Sequence, residues 1–137
     1  NGARRCVPLA VSGPVHTSMM SPAREALRGW FQELSFAPMQ IPVLFNCLGR
    51  EKAEEDSIAE LLVRQVQSGV RMQDTLRRLL ELDVDTFVEI GPGTTLCGFV
   101  KKTAKATGVE AEKLHLFHME TEEELQAFLS WYHSSRQ

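Results

Sequence analysis

The sequence lacks several features that would define whole classes of protein. No apolar run approaches the roughly 20 residues that a membrane-spanning helix needs, and no signal-peptide pattern opens the chain. Its three cysteines, an odd number without C-x-x-C spacing, argue against a disulfide framework and a structural zinc site. Nucleic acid is disfavoured as a partner because no basic cluster with interleaved aromatics is present. These absences predict a soluble domain in a reducing compartment, either the cytoplasm or the lumen of an organelle such as a mitochondrion or plastid.

The composition is that of an ordinary globular domain. The 137 residues are 43% hydrophobic and 24% charged, which fits a single domain with its own core. Because the chain begins with Asn1 rather than Met and soon enters a predicted strand, we expect a piece of a longer protein. The net charge is −3, yet residues 1–50 carry +3 and residues 110–137 carry −4. The basic front half could face an acidic partner or a phosphate group, although a solvated surface is the simpler explanation.

Hydrophobic periodicity predicts strands that alternate with helices. This alternation indicates an α/β fold with a largely parallel sheet. The strands are predicted over Cys6–Val11, Ile41–Phe45, Thr86–Ile90 and Leu114–Met119. The helices are expected to begin at Ser21 as N-cap before Pro22, at the capping boxes Ser57/Glu60 and Thr121/Glu124, near Met72, and after Gly93 with an end near Gly108.

His16 is the most informative candidate for a catalytic residue. It lies in a Gly-Pro-containing loop directly after a predicted strand, where rigid scaffolds often present functional side chains. Imidazole is also the side chain best suited to moving protons near neutral pH. A loop histidine without a role fits the same position, so the position alone does not decide between the two.

Gln65 is a polar residue on an otherwise apolar helix face. A buried amide must find partners or costs about 1–3 kcal/mol. It is therefore either a core glutamine bonded to backbone or part of a helix turn that orients a catalytic group. The face is expected to bury Ile58, Leu61, Leu62, Gln65 and Val66.

The segment Glu89–Thr95 joins a predicted strand to a helix through Gly91-Pro92-Gly93. Such a turn can hold an anion at a helix N-terminus, but it also allows close strand–helix packing. The match to a dinucleotide fingerprint is poor, and Pro92 removes one amide, so we expect a structural turn. The helix after it is expected to turn four residues inward: Leu96, Phe99, Val100 and Thr103.

Other chemistry-bearing residues form no convincing site. His115 and His118 lie three apart on a predicted strand and so point to opposite faces, which predicts no metal site. A G-x-S-x-G nucleophile elbow is missing from the sequence, so any serine–histidine chemistry must use a serine from elsewhere. The three cysteines are expected to be small buried hydrophobes: Cys6, Cys47 and Cys97.

Four stretches, in order and at similar spacing, together resemble a known family, the malonyl-CoA:acyl-carrier-protein transacylases of fatty-acid synthesis. The similarity is to the C-terminal portion of these enzymes and runs from about residue 4 to about residue 103. Acyltransferase domains of polyketide synthases share the pattern. Each stretch alone is weak evidence, whereas four in register are strong: Val7–Thr17, Ile41–Asn46, Leu62–Gln65 and Phe87–Gly93.

The resemblance implies an architecture in two parts. The family fold is an α/β-hydrolase-like acyltransferase subdomain with a small ferredoxin-like subdomain inserted. Residues 1–12 would be the last strand of the inserted subdomain, and residues 13–137 would be the C-terminal part of the large subdomain.

The resemblance also implies roles for two residues. A serine of the family's G-H-S-x-G motif takes the malonyl group from coenzyme A and passes it to the phosphopantetheine thiol of acyl carrier protein. His16 matches the histidine that acts as base and acid, and Gln65 matches the glutamine whose backbone carbonyl holds the imidazole. The implied partners are acyl carrier protein, malonyl-CoA as substrate and the N-terminal half of the same enzyme, which would carry the serine. The resemblance implies no cofactor, no metal and no membrane partner.

One departure from the family pattern concerns the acyl group. The residue before the histidine is typically Phe in malonyl-selective members and often Ser in methylmalonyl-selective ones, whereas this chain has Val15. This departure leaves a polyketide-type acyltransferase of other specificity as an alternative. Two further alternatives rest on other features: a non-catalytic module that binds acidic carrier protein through the basic front half, and a phosphate- or nucleotide-binding domain built on the Gly91–Gly93 turn.

Overall fold

The structure, a computed structural model, describes residues 13–135 together with Cys6 and Pro8. The elements follow one another as helices and short strands, with 3₁₀ turns at Ser18–Met20 and Ala111–Lys113. In chain order they are α1 (Ser21–Gln32), β1 (Leu44–Phe45), β2 (Arg50–Glu51), α2 (Ile58–Gln65), α3 (Met72–Glu81), β3 (Thr86–Ile90), α4 (Thr95–Thr107), β4 (His115–Met119) and α5 (Glu122–Ser134).

The predicted α/β class is confirmed by the unit formed by β3, α4 and β4. The two strands pair in parallel, with Thr86 opposite His115 and Ile90 opposite Met119. The crossover helix α4 packs against both strands, and α5 packs against β4. Phe117 of β4 contacts the ring of Trp131 on α5 at a centroid distance of 4.7 Å. This aromatic packing fixes α5 on the sheet.

The second predicted strand is shorter than expected. Only Leu44–Phe45 of the predicted Ile41–Phe45 is strand, and it pairs antiparallel with Arg50–Glu51 through a tight turn. Ile41 is 75% exposed. A strand forms where its backbone finds a hydrogen-bonding neighbour, and within the described part of the chain residues 41–43 have no paired strand.

The hairpin and α2 share one hydrophobic cluster. Phe45, Cys47 and Leu61 form its buried centre. The predicted face of α2 was incomplete, since Val63, which lies off that face, is only 1% exposed. The physical reason is that α2 packs against α1 as well as against the hairpin cluster, so it buries more than one stripe. The partly buried members of the cluster are Leu48, Ile58 and Leu62.

The predicted N-cap at Ser21 is wrong, because the N-cap of α1 is Met20, which makes no side-chain capping bond; the capping side chain is that of Thr17, at the start of the preceding 3₁₀ turn. Thr17 has extended backbone and its Oγ1 accepts the N–H of Met19. Ser21 is already the first residue of α1, and its hydroxyl donates to the Ser18 carbonyl at 2.7 Å. The 3₁₀ turn therefore connects the loop that carries His16 directly to α1.

The two predicted capping boxes have different outcomes. Ser57 Oγ accepts the Glu60 N–H at 3.4 Å, but the Glu60 carboxylate binds Arg28 of α1 at 3.2 Å instead of closing the box. At the start of α5, both reciprocal hydrogen bonds between Thr121 and Glu124 are present, so this box is confirmed. The difference arises because a long-range partner competes for Glu60.

Helix α4 ends as predicted, and its buried face matches the prediction in part. Gly108 adopts a left-handed conformation and ends the helix. Leu96 and Phe99, which were expected to point inward, are each 41% exposed. Val100 and Thr103 are buried as predicted, whereas Cys97 and Ala104 take the places expected for Leu96 and Phe99, because α4 packs simultaneously against α3 and the parallel strands.

The predicted strand Cys6–Val11 lies outside the described residues, apart from Cys6 and Pro8 themselves. Cys6 is exposed, so the expectation that it is buried is wrong, whereas Cys47 and Cys97 are buried as predicted. In the described residues, none of the helices combines the length and the apolar character that crossing a membrane requires.

Candidate active site

The loop that presents His16 has an unusual backbone conformation. His16 has φ of 62°, in the left-handed region that side chains other than glycine seldom adopt. The side chain is exposed, and so is that of its neighbour Val15. Thr17 closes the loop locally, because its hydroxyl donates to the Pro14 carbonyl at 2.7 Å. Strained residues of this kind persist where surrounding contacts hold them, and they cluster at functional sites.

The His16 imidazole is oriented by the end of α2. Its Nδ1 lies 3.0 Å from the backbone carbonyl oxygen of Gln65, 49 residues away in sequence. Gln65 is the last residue of α2, where carbonyl groups lack partners within the helix. A carbonyl oxygen can only accept, so Nδ1 is the nitrogen that donates. In the neutral ring, Nε2 then holds a free lone pair and can accept a proton.

The structure thus brings His16 and Gln65 together through the backbone of the glutamine. In the described part of the chain, neither His16 Nε2 nor the Gln65 side chain has a hydrogen-bond partner. Gln65 is only partly buried, so its side-chain amide does not need the buried hydrogen-bond partner that a fully buried amide would require.

Gln67 joins the same two segments and was missed by the sequence analysis. Its Nε2 donates to the Ser18 carbonyl at 3.1 Å and to Ser21 Oγ at 2.6 Å. It follows the last turn of α2, and the residues that it binds form the 3₁₀ turn and the start of α1. A polar residue two positions after Gln65 gives no local sign of partners almost 50 residues away, so periodicity could not have found it.

Backbone N–H groups of the Gly91–Gly93 turn and of the helix start that follows it already donate to carboxylates of the protein. Glu89, at the end of β3, accepts the N–H groups of Leu96 at 2.9 Å and Cys97 at 2.8 Å. The backbone N–H of Gly93 donates to Glu120 at 3.0 Å. These N–H bonds, first that of Cys97, hold the pKa of Glu89 below its usual range. An external anion would have to displace these carboxylates, which favours the structural interpretation of the turn over phosphate binding.

The remaining candidate groups are engaged in packing. The His115 ring lies 4.9 Å from Trp131, while His118 Nε2 lies 2.7 Å from Glu124 Oε1. In the residues that the structure describes, no three potential ligands gather around a possible metal position. Burial, reinforced by the neighbouring Glu89, raises the pKa of the Cys97 thiol and keeps it protonated, unlike the thiolate of a nucleophilic cysteine.

Comparison with known proteins identifies relatives of this chain. A curated malonyl CoA-acyl carrier protein transacylase from Bacillus subtilis is 40% identical over 102 residues, covering 74% of this chain and 32% of the relative. The crystal structure of the transacylase from Clostridium perfringens superposes with a TM-score of 0.81 at 35% identity, over 95% of this chain and 39% of that one. The resemblance to the transacylase family is confirmed.

A further solved relative is in complex with a partner. It is a malonyl-transacylase in complex with its type II polyketide acyl-carrier protein, with a TM-score of 0.74 and 31% identity, over 92% of this chain and 39% of that one. No family model matches the chain. The chain spans about a third of the length of the curated transacylases it matches, which is consistent with the C-terminal portion.

Proposed function

We propose that this chain supplies the general base and acid of a malonyl-CoA:acyl-carrier-protein transacylase. The observation that supports the proposal is the hydrogen bond from His16 Nδ1 to the Gln65 carbonyl at 3.0 Å. It orients the imidazole and leaves Nε2 free to move a proton, as a catalytic histidine requires. A carbonyl here takes the orienting place that an aspartate takes in a serine triad.

The reaction then needs two protein groups, the His16 imidazole and a serine. The serine lies in the part of the transacylase that this chain does not cover. His16 Nε2 takes the serine proton while the serine oxygen attacks the malonyl thioester. The C–S bond breaks, and Nε2 returns the proton to the departing coenzyme A sulfur. In the second half-reaction the phosphopantetheine thiol loses its proton to Nε2 and attacks the acyl-serine, whose oxygen recovers the proton.

The substrates and partners belong to the same proposal. Malonyl-CoA is the acyl donor, acyl carrier protein is the acceptor, and the N-terminal half of the enzyme contributes the serine. The relative whose structure was solved in complex with its acyl-carrier protein supports the carrier as partner. No cofactor is needed, because the acyl group travels as a thioester and an ester. The buried free thiols of Cys47 and Cys97 fit a reducing compartment such as the cytoplasm or an organelle lumen.

The division of the chain is proposed on the same basis. Residues 13–137 are assigned to the large α/β-hydrolase-like subdomain, and residues 1–12 to the last strand of the inserted ferredoxin-like subdomain. The parallel unit of β3, α4 and β4 supports the first assignment. The 3₁₀ turn and α1 follow the His16 loop directly, as they would at the return to the large subdomain.

The acyl specificity of the proposed site depends in part on Val15. Its side chain is 54% exposed beside His16, so it can contact a bound acyl group. A difference of one methylene in a pocket changes selectivity by only about 1–3 kcal/mol. Malonyl-CoA is therefore the proposed donor, and methylmalonyl-CoA is the competitor against which it should be compared.

A transfer assay on the natural full-length protein tests the function. We expect label from ¹⁴C-malonyl-CoA to appear first on the enzyme and then on holo acyl carrier protein. The enzyme-bound label should map to a serine outside residues 1–137. Carrier binding without label transfer would indicate a non-catalytic module, and label on a residue within this chain would mean that the proposed nucleophile is wrong.

A further inference from the structure

We propose that Gln67 is a positioning residue for His16, acting as a clamp between the last turn of α2 and the start of α1. The inference rests on the proposed function of His16, but it concerns a residue for which neither the motifs nor the resemblance assigns a role. Gln67 does not touch His16. It holds the two segments whose separation decides whether the imidazole reaches the Gln65 carbonyl.

The clamp consists of hydrogen bonds from Gln67 to the first residue of the 3₁₀ turn Ser18–Met20 and to the first residue of α1. Both amide hydrogens of Gln67 are used, one on the Ser18 carbonyl at 3.1 Å and the other on Ser21 Oγ at 2.6 Å. The Ser21 hydroxyl in turn donates to the same Ser18 carbonyl at 2.7 Å. Each atom is therefore used with the correct polarity, and the three groups form a closed network.

The clamp stands directly beside the contact that it would support. Gln67 is two residues after Gln65, and Ser18 is two residues after His16. The contacts from His16 to Gln65 and from Gln67 to Ser18 thus form two parallel connections between the same segments. A displacement of the loop away from α2 would break both together.

The backbone of the loop explains why a second connection is needed. His16 adopts the left-handed conformation with φ of 62°, which is strained for a residue with a side chain. A single exposed hydrogen bond contributes only modestly to stability, so the bonds of Gln67 add to the His16–Gln65 bond in holding the loop against this strain.

Two substitutions of similar size separate the donor from the packing. Gln67→Met keeps the length of the side chain but removes both hydrogen-bond donors. Gln67→Lys retains donors at similar reach. Gln126→Met on the exposed surface of α5 is the matched control. All are made in the natural full-length protein.

Transfer kinetics give the first readout. For Gln67→Met we expect kcat to fall about tenfold in both half-reactions with KM little changed, a loss equivalent to about 1.4 kcal/mol. Gln67→Lys should retain most of the wild-type kcat. Unchanged kcat in Gln67→Met, or an equal loss in Gln67→Lys, would overturn the proposal.

The tautomer of His16 gives a readout that a purely structural role would not move. Imidazole ¹⁵N shifts should show the proton on Nδ1 in the wild type and a mixture of tautomers in Gln67→Met, at temperatures where both are folded. A Gln67→Met protein that keeps the wild-type tautomer would contradict the clamp. Because this measurement needs no substrate, it tests the clamp even if the wild type transfers no malonyl group, an outcome that would overturn only the proposed function.

Discussion

Gly49 is the position where a single methyl group should be most damaging. It lies in the β1–β2 turn with φ of +71° and donates its N–H to the Phe45 carbonyl at 2.8 Å. A Cβ added there would lie 2.6 Å from the Cβ of Asp74 and 3.2 Å from the carbonyl oxygen of Arg71. These atoms belong to α3 or its start and cannot rotate away, so Gly49→Ala requires a shift of the backbone.

The expected loss combines two effects. The left-handed conformation costs alanine about 1–2 kcal/mol, and overpacking adds about 1–3 kcal/mol. Gly108→Ala is the matched control, because Gly108 has φ of +77° but open space around its added Cβ, and only the first cost applies. Urea denaturation of both variants in the full-length protein measures the difference. Equal free energies of unfolding for Gly49→Ala and Gly108→Ala would refute the close approach of the turn to α3.

Two further predictions follow from the site and its surroundings. Gln65→Ala should leave kcat within about threefold of the wild type, since the contact with His16 uses a backbone carbonyl that alanine retains; a loss as large as that of removing His16 would show that the side chain is catalytic. The lowered pKa of Glu89 means that its contribution to stability is present above its unfolded pKa and is lost as the pH falls through the folded value. Thermal melts from pH 7 to pH 3 should therefore show a declining Tm, with a shallower decline in Glu89→Gln; identical pH profiles would contradict the helix-capping role of this carboxylate.

The elements predicted correctly are those with local causes. The strand Thr86–Ile90 is specified by a short run of residues with high β-propensity. The start of α5 is specified by the capping box of Thr121 and Glu124. The end of α4 at Gly108 follows from glycine's access to the left-handed region. Each of these signals depends on residues within a few positions, which a sequence pattern contains in full.

The elements that were missed depend on distant partners. Ile41 belongs to an apolar run, yet a strand also needs a neighbour, which the run does not specify. Val63 is buried although it lies off the predicted face of α2, a helix that packs against α1 as well as the hairpin, and the Glu60 carboxylate binds Arg28 instead of closing its capping box. Hydrophobic periodicity predicts one buried face per helix, and it does not show how many other elements pack against that helix.

The same division applies to the site. Loop position and chemistry were enough to select His16 as a candidate, but not to connect it with a residue 49 positions away. The expected contact with the Gln65 carbonyl came from the resemblance, and the structure contains that contact. The sequence pattern predicts no role for Gln67, because its two partners lie 49 and 46 residues away along the chain.

Rapid-quench kinetics of His16→Ala in the full-length protein test the catalytic assignment most directly. General acid–base catalysis is worth about 10²–10⁴-fold, so we expect enzyme acylation by malonyl-CoA and transfer to the carrier each to slow by that factor. His133→Ala, which removes another exposed imidazole, should leave both rates unchanged. A His16→Ala enzyme that is folded and retains nearly full rates in both half-reactions would contradict the assignment of His16 as the base.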